Sequence, residues 1–417
     1  MGKYVQIVEA DKSIDQIRDN STLIFLGGCA NPSRFYDSFS NRVGMFKGLT
    51  VCSGLSLGDY RFLKKGLGTN FRYVTWQAGI NLRKLMKEND RRKIGFIPLR
   101  LSELTSVIGK KRAIEPDTVV IQTSYPLNDG TVSLGISVGA TQHFIRSARQ
   151  VIAEFNTNMP ITDGDSRVPI DKIDLAIESD RPLANYDTGV CNEAESKIVE
   201  NVLNLIPEGA TVQLGIGSVP DKVLASLGQI EKIKLCSGML SSGLTDYLKQ
   251  SSSGEKILTG ELAGGLGLYE GVNNSSRISM IGIEKTHDVR KLADIKRFVS
   301  INSTVEIDLQ GQCNGETVNG VQLSGVGGSL DYIEAAAMSS GGISIMALPS
   351  TTRCGEHSRI VKAIGSTEVV TTPRFCLDYV VTEYGVARLK GATLWERSNA
   401  LIGLAHPKFR DLLSAEN

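Results

Sequence analysis

The residues best placed to do chemistry form a glycine-rich loop, made up of Ser324, Gly325, Val326, Gly327 and Gly328. Before this loop, the stretch from Val299 alternates apolar and polar residues like a strand, and after it a second apolar run ends at Pro349. A glycine-rich loop between a strand and a helix lets backbone N–H groups approach a ligand where any Cβ would clash. Taken alone, the loop predicts a ligand-binding turn without specifying the ligand.

A second glycine motif, Gly215-Ile216-Gly217, closes an apolar run and is followed by Ser218-Val219-Pro220, which is typical of a helix start. Two interpretations remain open for this motif. It is either a loop that binds a thioester or a phosphate, or a plain turn between a strand and a helix. A G-x-G pattern in isolation is more often the plain turn.

Length and composition indicate the number of domains and argue against several classes of partner and site. A chain of 417 residues is too long for one ordinary core, so two domains are expected. With 41% hydrophobic residues, 22% charged residues and a net charge of +1, the composition indicates neither nucleic acid nor an anionic membrane surface as a partner. The seven cysteines are scattered and lack a C-x-x-C pair, which argues against a disulfide framework and a zinc site. We therefore expect no metal.

The start of the chain, MGKYVQIVEADKSID, lacks the continuous apolar core of a signal peptide. No stretch of the sequence approaches the ~20 consecutive apolar residues that a membrane-spanning helix needs. The expected location is therefore the cytoplasm, and a membrane is not an expected partner.

Short apolar runs alternate with amphipathic stretches along the chain, which is the pattern of βαβ units and predicts an α/β fold. Strands are predicted at residues 22–26, 117–122, 132–138 and 172–177. The stretch 178–192 contains turn-forming residues and is the predicted linker. Helical spacing of apolar residues then predicts a helix over 193–205.

An internal repeat supports two domains. The sequence STLIFLGGCANPSRFYDSFSN, from Ser21, resembles ATVQLGIGSVPDKVLASLGQ, from Ala210. Each copy reads as a strand, a glycine turn and a helix, and further on Cys52-Ser53-Gly54 matches Cys236-Ser237-Gly238. The repeat predicts two related α/β domains, 1–186 and 187–417. Ligands of such open sheets bind beyond the carboxyl ends of the strands, where the glycine turns fall.

Nearly the whole chain resembles the acetyl-CoA hydrolase/transferase family of class I CoA-transferases, which includes the 4-hydroxybutyrate and acetate CoA-transferases. The segments that carry the resemblance are the Gly215 motif and the stretch from Val299 to Thr352. The resemblance implies two similar open-sheet domains with the active site between them. It also implies that Gly215, Gly217 and the loop from Ser324 to Gly328 bind coenzyme A as a substrate, with no permanently bound cofactor.

The family's catalytic carboxylate is missing at the matching position. Relatives carry a glutamate in a Ser-Glu-Met-(x)-Ser-Asp-Gly context, where its anhydride chemistry splits one difficult acyl transfer into easier steps. This chain reads Cys236-Ser237-Gly238-Met239-Leu240-Ser241-Ser242-Gly243, so Gly238 stands at the nucleophile position and Ser242 at the aspartate position. Four explanations remain open: a changed chemistry, a pseudo-enzyme, a nearby residue that takes over, or an engineered substitution.

Other candidates for the site follow from the same resemblance. It implies that Asn302 hydrogen-bonds the reacting group and that the backbone N–H groups of Gly327 and Gly328 stabilise a thioester oxyanion. Cys236 lies two residues before Gly238 and would point to the same face of a strand. Its thiol is a candidate only if its pKa is depressed, and a small buried residue is the stronger interpretation. Glu306 is interpreted chiefly as a structural carboxylate.

The function implied by the resemblance is CoA transfer between an acyl-CoA and a carboxylate, by a homodimer or higher homo-oligomer. A second interpretation is an acyl-CoA hydrolase, decarboxylase or hydratase that dispenses with the nucleophile and uses the retained oxyanion hole. A third is a non-catalytic acyl-CoA-binding pseudo-enzyme. The sequence does not identify the acyl group.

Overall fold

The chain folds into two compact units in a computed structural model that describes residues 5–57, 61–79, 82–83, 85–86 and 93–415. The first unit runs to Tyr186 and also takes in Leu258–Thr286, while the second contains Asp187–Ile257 and the chain from His287 onward. This division differs from the predicted continuous domain 187–417. The reason is that Leu258–Thr286 hydrogen-bonds with the first unit, where Leu262 N donates to Ile136 O at 2.9 Å.

The strands of the described residues are numbered in chain order. They are β1 Gln6–Ile7, β2 Thr22–Phe25, β3 Leu49–Ser53, β4 Phe71–Thr75, β5 Ile94–Phe96, β6 Thr118–Thr123, β7 Thr131–Ser133, β8 Gln150–Asn156, β9 Asp163–Gly164, β10 Arg167–Pro169, β11 Leu175–Ser179, β12 Thr211–Leu214, β13 Lys234–Ser241, β14 Ile257–Ala263, β15 Ile278–Met280, β16 Phe298–Asn302, β17 Glu306–Asp308, β18 Cys313–Asn314, β19 Thr317–Val318, β20 Val321–Gln322, β21 Ile343–Ala347, β22 Ile360–Val361, β23 Tyr379–Thr382 and β24 Gly385–Arg388.

Helices connect these strands. The α-helices described are Ala10–Ile14, Ser33–Arg42, Leu104–Val107, Thr141–Ser147, Glu193–Leu203, Ser218–Ser226, Gly243–Gln250, Leu266–Val272, Ile283–Thr286, Val289–Ala293, Ser329–Met338, Leu394–Leu404 and Pro407–Ser414. Short 3₁₀ helices occupy Val43–Met45, Arg61–Lys64, Leu101–Glu103, Ile170–Lys172 and Leu227–Gln229. Across the described part of the chain, none of the helices has the length and apolar character needed to cross a membrane.

In the first unit, eight described strands form a parallel sheet in the order β1-β11-β8-β6-β2-β3-β4-β5. Parallel strands are covered on both faces and therefore read as continuous apolar runs, as Leu23-Ile24-Phe25 does. On one face the Phe25 ring packs against Phe35, Phe39 and Phe62, with centroids 5.8, 5.6 and 5.2 Å away. This aromatic cluster fixes the helix Ser33–Arg42 over the centre of the sheet.

The strand order reverses at β2, which has β3 on one side and β6 on the other. In the second unit the strands run β24-β23-β21-β16-β12-β13, and the order reverses in the same way at β12. Open α/β sheets bind ligands beyond the carboxyl ends of their strands at such reversals. The glycine turns after β2 and β12 therefore lie at the two positions where the topology favours ligand binding.

Several sequence predictions of elements are confirmed. Strand 22–26 is observed as Thr22–Phe25, strand 117–122 as Thr118–Thr123, and helix 193–205 as Glu193–Leu203. The helix begins with a capping box, in which the Asn192 side chain accepts from Glu195 N at 2.9 Å and the Glu195 carboxylate accepts from Asn192 N at 3.0 Å.

Two strand predictions are wrong in extent. Only residues 132–133 of the predicted strand 132–138 lie in a strand, the observed Thr131–Ser133, which pairs antiparallel with Arg167–Pro169. The chain then turns at Gly135, whose φ of +56° belongs to the left-handed region that favours glycine. Predicted strand 172–177 begins late, because a 3₁₀ turn at Ile170–Lys172 delays it to Leu175–Ser179.

Candidate active site

Gly238 lies within β13, and the space beside it is already filled. A Cβ on Gly238 would stand 2.6 Å from His287 Cε1 and 2.6 Å from the Tyr332 hydroxyl. Both distances are far inside van der Waals contact, so the strand can pass these rings only because residue 238 has no side chain. The space beside Gly238 is therefore occupied by an imidazole and a phenol.

The His287 side chain is almost completely enclosed, with 6% of its surface exposed. Its Nε2 lies 3.2 Å from the Tyr332 hydroxyl, and the two ring centroids are 4.9 Å apart. Burial lowers the pKa of His287 to about 3, because the charged imidazolium would lose its solvation. The imidazole is consequently neutral at physiological pH and can donate one hydrogen bond and accept another.

Gly328 borders the other side of the His287 ring. A Cβ on Gly328 would collide with Nε2 and Cδ2 of His287 and would lie 3.3 Å from the Tyr332 ring. Gly238 and Gly328, which the sequence proposes as two parts of one site, are thus brought together around a third residue. Sequence reasoning missed His287, because its neighbours in space are distant in sequence and its local context, Thr286-His287-Asp288, shows no catalytic pattern.

The glycine loop ends in an uncapped helix. Gly327 has a φ of +68°, in the left-handed region that favours glycine, and Gly328 is the N-cap of the helix Ser329–Met338. Within the described residues, no side chain caps this helix, and the buried Ser329 hydroxyl has no hydrogen-bond partner. The first N–H groups of a helix have no partner within the helix, and the positive end of the helix dipole lies there, so such a terminus suits a negatively charged or polar ligand atom.

The beginning of the glycine loop is anchored. The Ser324 hydroxyl donates to Gly315 O at 2.7 Å, Gly325 is buried, and Val326 is half-buried. These contacts fix the start of the loop at Ser324 and Gly325. The segment from Val326 to Ser329 is its partly exposed end.

Asn302 is the last residue of β16, and only 4% of it is exposed. Its amide donates to Ser300 Oγ at 2.9 Å and to Gln213 Oε1 at 3.1 Å, so both N–H groups already have partners. A Cβ on Gly215 would lie 3.1 Å from Asn302 Oδ1, which places the Gly215 motif directly against this residue. In this arrangement the Oδ1 atom is the part of the amide that faces the turn.

The turn after β12 leads into a helix whose first turn holds the end of β13. Gly217 has a φ of +128° and is the N-cap of the helix Ser218–Ser226. Asp221 in the first turn of this helix accepts from Gly243 N at 2.7 Å and from the Ser241 hydroxyl. The carboxylate of Asp221 thereby fixes the end of β13 on both sides of Ser242.

The two alternative nucleophiles are Cys236 and Glu306. Each lies in surroundings typical of a residue that supports the fold. Cys236 is buried, and burial raises the pKa of its thiol to about 11, so it is not a thiolate near neutral pH. The Glu306 carboxylate accepts from Asn314 Nδ2 at 3.0 Å across the β17–β18 pair. No group of three or more metal-ligating side chains is found in the described residues.

Comparison with family models finds two matches. Residues 2–185 match the acetyl-CoA hydrolase/transferase N-terminal domain, and residues 264–417 match the acetyl-CoA hydrolase/transferase C-terminal domain. The chain is also 35% identical over 419 aligned positions to the 4-hydroxybutyrate coenzyme A transferase of Clostridium kluyveri, covering 99% of this chain and 97% of that protein.

Solved structures give the same result. The 4-hydroxybutyrate CoA-transferase of Porphyromonas gingivalis is 31% identical and superimposes with a TM-score of 0.81, covering 99% of this chain and 97% of its own. RipA of Yersinia pestis is 27% identical with a TM-score of 0.92, covering 98% of this chain and 96% of its own. The fold is therefore the α/β fold of CoA-transferase structures.

Proposed function

Because the chain belongs to the acetyl-CoA hydrolase/transferase family, we propose that it transfers coenzyme A between an acyl-CoA and a carboxylate. The relative from Clostridium kluyveri is named for 4-hydroxybutyrate, so short acyl groups of this kind are the first substrates to test. A cytoplasmic homodimer, as the sequence analysis expects, belongs to the same proposal.

The observation that carries the proposal is the uncapped start of the helix Ser329–Met338. Gly327 holds a left-handed turn, and the buried Ser329 hydroxyl lacks a partner in the described residues. Buried polar groups are nearly always hydrogen-bonded. A buried hydroxyl without a partner, at the uncapped start of a helix, therefore supports ligand binding at this position. In the proposed function these groups bind the thioester oxygen and stabilise the negative charge that develops on it.

A second candidate function is supported by His287. Its neutral ring stands at Gly238, where the family resemblance places a nucleophilic carboxylate. A neutral imidazole is a suitable hydrogen-bond donor to an oxyanion, because it need not lose a proton to the substrate. This arrangement favours hydrolysis, decarboxylation or hydration of an acyl-CoA without a nucleophile on β13.

The test uses purified full-length protein with acetyl-, butyryl- and 4-hydroxybutyryl-CoA, each with and without acetate. Acetate-dependent formation of acetyl-CoA from the longer thioesters is expected, together with heat of binding for each thioester in calorimetry. Release of free CoA that does not depend on acetate would favour the second candidate. Binding without turnover of any thioester would contradict both and leave a pseudo-enzyme.

A further inference from the structure

The second unit contains an arginine, Arg359, whose half-buried side chain has unused hydrogen-bond donors. Among the described residues, its guanidinium makes neither a hydrogen bond nor an ion pair. Burial lowers the pKa of this group, because part of its hydration is lost. A guanidinium carries five N–H donors, and donors that lose water are nearly always paired. The Arg359 side chain is therefore suited to a ligand with acceptor oxygens.

The backbone of Arg359 is held on both sides. Arg359 N donates to Ser350 O at 2.8 Å, and Thr351 forms an antiparallel bridge with Ser358, so residues 350–359 form a hairpin after β21. Arg359 O accepts from Ile307 N, within β17, at 2.9 Å. The position of the side chain is therefore set by the end of β21 and by β17.

Two carboxylates balance the charge of Arg359 and use their oxygens elsewhere. The charges of Glu195 and Glu383 both act on the guanidinium. Glu383 accepts from the Ser350 hydroxyl at 2.6 Å and from Ser350 N at 2.9 Å. One Glu195 oxygen accepts from the Ser218 hydroxyl at 2.8 Å, and the other belongs to the capping box described above. The N–H groups of Arg359 thus stay unused although its charge is compensated.

The hydrogen bond from Ser218 places this cluster at the glycine motif after β12. Ser218 is the first residue of the helix that follows Gly217, and β12 is the strand at which the sheet order of the second unit reverses. Because the charge of Glu195 acts on Arg359, the guanidinium lies beside the carboxyl end of β12, which is the ligand-binding position of an open sheet. Of the two interpretations of the Gly215 motif, this arrangement favours the ligand-binding loop.

The Arg359 guanidinium is open to solvent. In the part of the chain that the structure describes, the fully enclosed side-chain atoms without a partner belong to Ser33, Gln122, Arg277 and Ser329. The unpaired nitrogens of Arg359 are not among them and therefore reach the surface. Arg353, near the tip of the same hairpin, is exposed, and its positive charge also acts on Arg359.

Another half-buried arginine of the second unit provides a contrast. Arg410 donates through Nε to Ala405 O at 2.9 Å and through Nη2 to Gly403 O at 2.8 Å. Arg410 thereby binds the carbonyl groups at the end of the helix Leu394–Leu404, which is a structural role. Arg359 has the same degree of burial and lacks such contacts.

We infer that Arg359 binds an anionic oxygen group of the substrate, either a phosphate of coenzyme A or the carboxylate that receives the coenzyme. This inference rests on the proposed function. A planar guanidinium matches both groups, because two parallel N–H donors meet two oxygens. Arg353 adds attraction for the same negative charge. Arg359 and the helix start at Ser329 belong to the same unit, so this unit alone holds both sets of proposed substrate contacts.

The experiment compares full-length wild type with Arg359→Lys and Arg359→Met. Arg388→Met is the matched control, because Arg388 is an exposed arginine on β24 of the same unit. Arg359→Lys keeps a positive charge beside the two carboxylates and is expected to fold even if Arg359→Met does not, which circular dichroism checks. Calorimetry gives dissociation constants for CoA and for pantetheine, which has the thiol arm and no phosphate. The butyryl-CoA/acetate assay gives the KM for acetate.

The two sources of the anionic group give different results. If Arg359 binds a phosphate, CoA affinity falls about 10-fold in Arg359→Lys and about 100-fold in Arg359→Met, while pantetheine affinity is unchanged. If Arg359 binds the carboxylate, CoA affinity is unchanged and the KM for acetate rises by similar factors. In both cases Arg388→Met matches wild type.

Other outcomes overturn the inference. Equal losses of affinity for CoA, pantetheine and acetate would leave Arg359 a structural role only, and so would folded Arg359 variants with every constant within about twofold of wild type. If wild type binds CoA and never transfers it, the proposed function fails on its own; the inference then fails as well only if Arg359→Lys binds CoA as tightly as wild type. If wild type binds no CoA, both fail.

Discussion

Cys52-Ser53-Gly54 and Cys236-Ser237-Gly238 are matching parts of the internal repeat, yet different rings fill the space beside the two glycines. A Cβ on Gly54 would lie 2.7 Å from Trp76 Nε1, whereas one on Gly238 would lie 2.6 Å from His287 Cε1. The Trp76 ring continues into an aromatic contact with Phe144 at 6.4 Å. The His287 ring instead meets the Tyr332 hydroxyl.

The preceding cysteines show that the rest of the repeat stays alike. Burial raises the pKa of the Cys52 thiol to about 12 and that of the Cys236 thiol to about 11. Both thiols are therefore buried and protonated near neutral pH. The difference between the two halves therefore centres on Gly238. It is one part of a coupled arrangement, in which a large polar ring has entered the space that the glycine leaves open.

The largest effect is expected when a carboxylate side chain is introduced at position 238. Gly238→Glu should lower the free energy of unfolding by about 3 kcal/mol, because its side chain must displace two enclosed rings. Combining Gly238→Glu with His287→Ala should recover part of this loss and give more transfer than Gly238→Glu alone. Denaturant unfolding and the butyryl-CoA/acetate assay measure the two effects. A single Gly238→Glu variant with wild-type stability would show that the rings do not block this position.

The second prediction concerns pH. His287 has a folded-state pKa of about 3, below the ordinary value of 6.5, so its contribution to stability is complete above pH 6.5 and is lost as pH falls towards 3. At pH 5 this loss amounts to about 2 kcal/mol. His287→Asn should flatten the dependence of unfolding free energy on pH between 6.5 and 4. Replacing the exposed His357 by Asn is the matched control and should leave the slope unchanged.

The smallest effect comes from adding one methyl group in each half. Gly54→Ala and Gly238→Ala should each cost about 1.5 kcal/mol of stability, because each Cβ presses on an enclosed ring. Only Gly238→Ala is expected to reduce turnover as well, since only it displaces a ring beside the glycine loop. Equal losses of activity in both variants, measured at a temperature where both are folded, would mean that the polar ring has no special role.

The sequence was sufficient for the parts of the structure that local patterns determine. Apolar runs located β2 and β6, and the glycines after β2 and β12 marked the turns at the two reversals of strand order. It was not sufficient for His287, because the surroundings of this residue come from positions that only the folded sheet brings near. The length of the strand after Thr131 was also mispredicted, since the left-handed conformation of Gly135 interrupts a run in which apolar residues alternate with small ones.

The segment Leu258–Thr286, which joins the first unit from within the second half of the chain, has a consequence for synthesis. When the ribosome has released residues 1–186, the backbone from Ile136 to Gly139 still lacks Gly260 and Leu262, its hydrogen-bonding partners. The first unit can be completed only after the opening part of the second has emerged. Contacts between residues so far apart in sequence also form slowly. A nascent or truncated chain therefore exposes an unpaired edge at Ile136–Gly139, which is where a chaperone or an aggregation contact would act first.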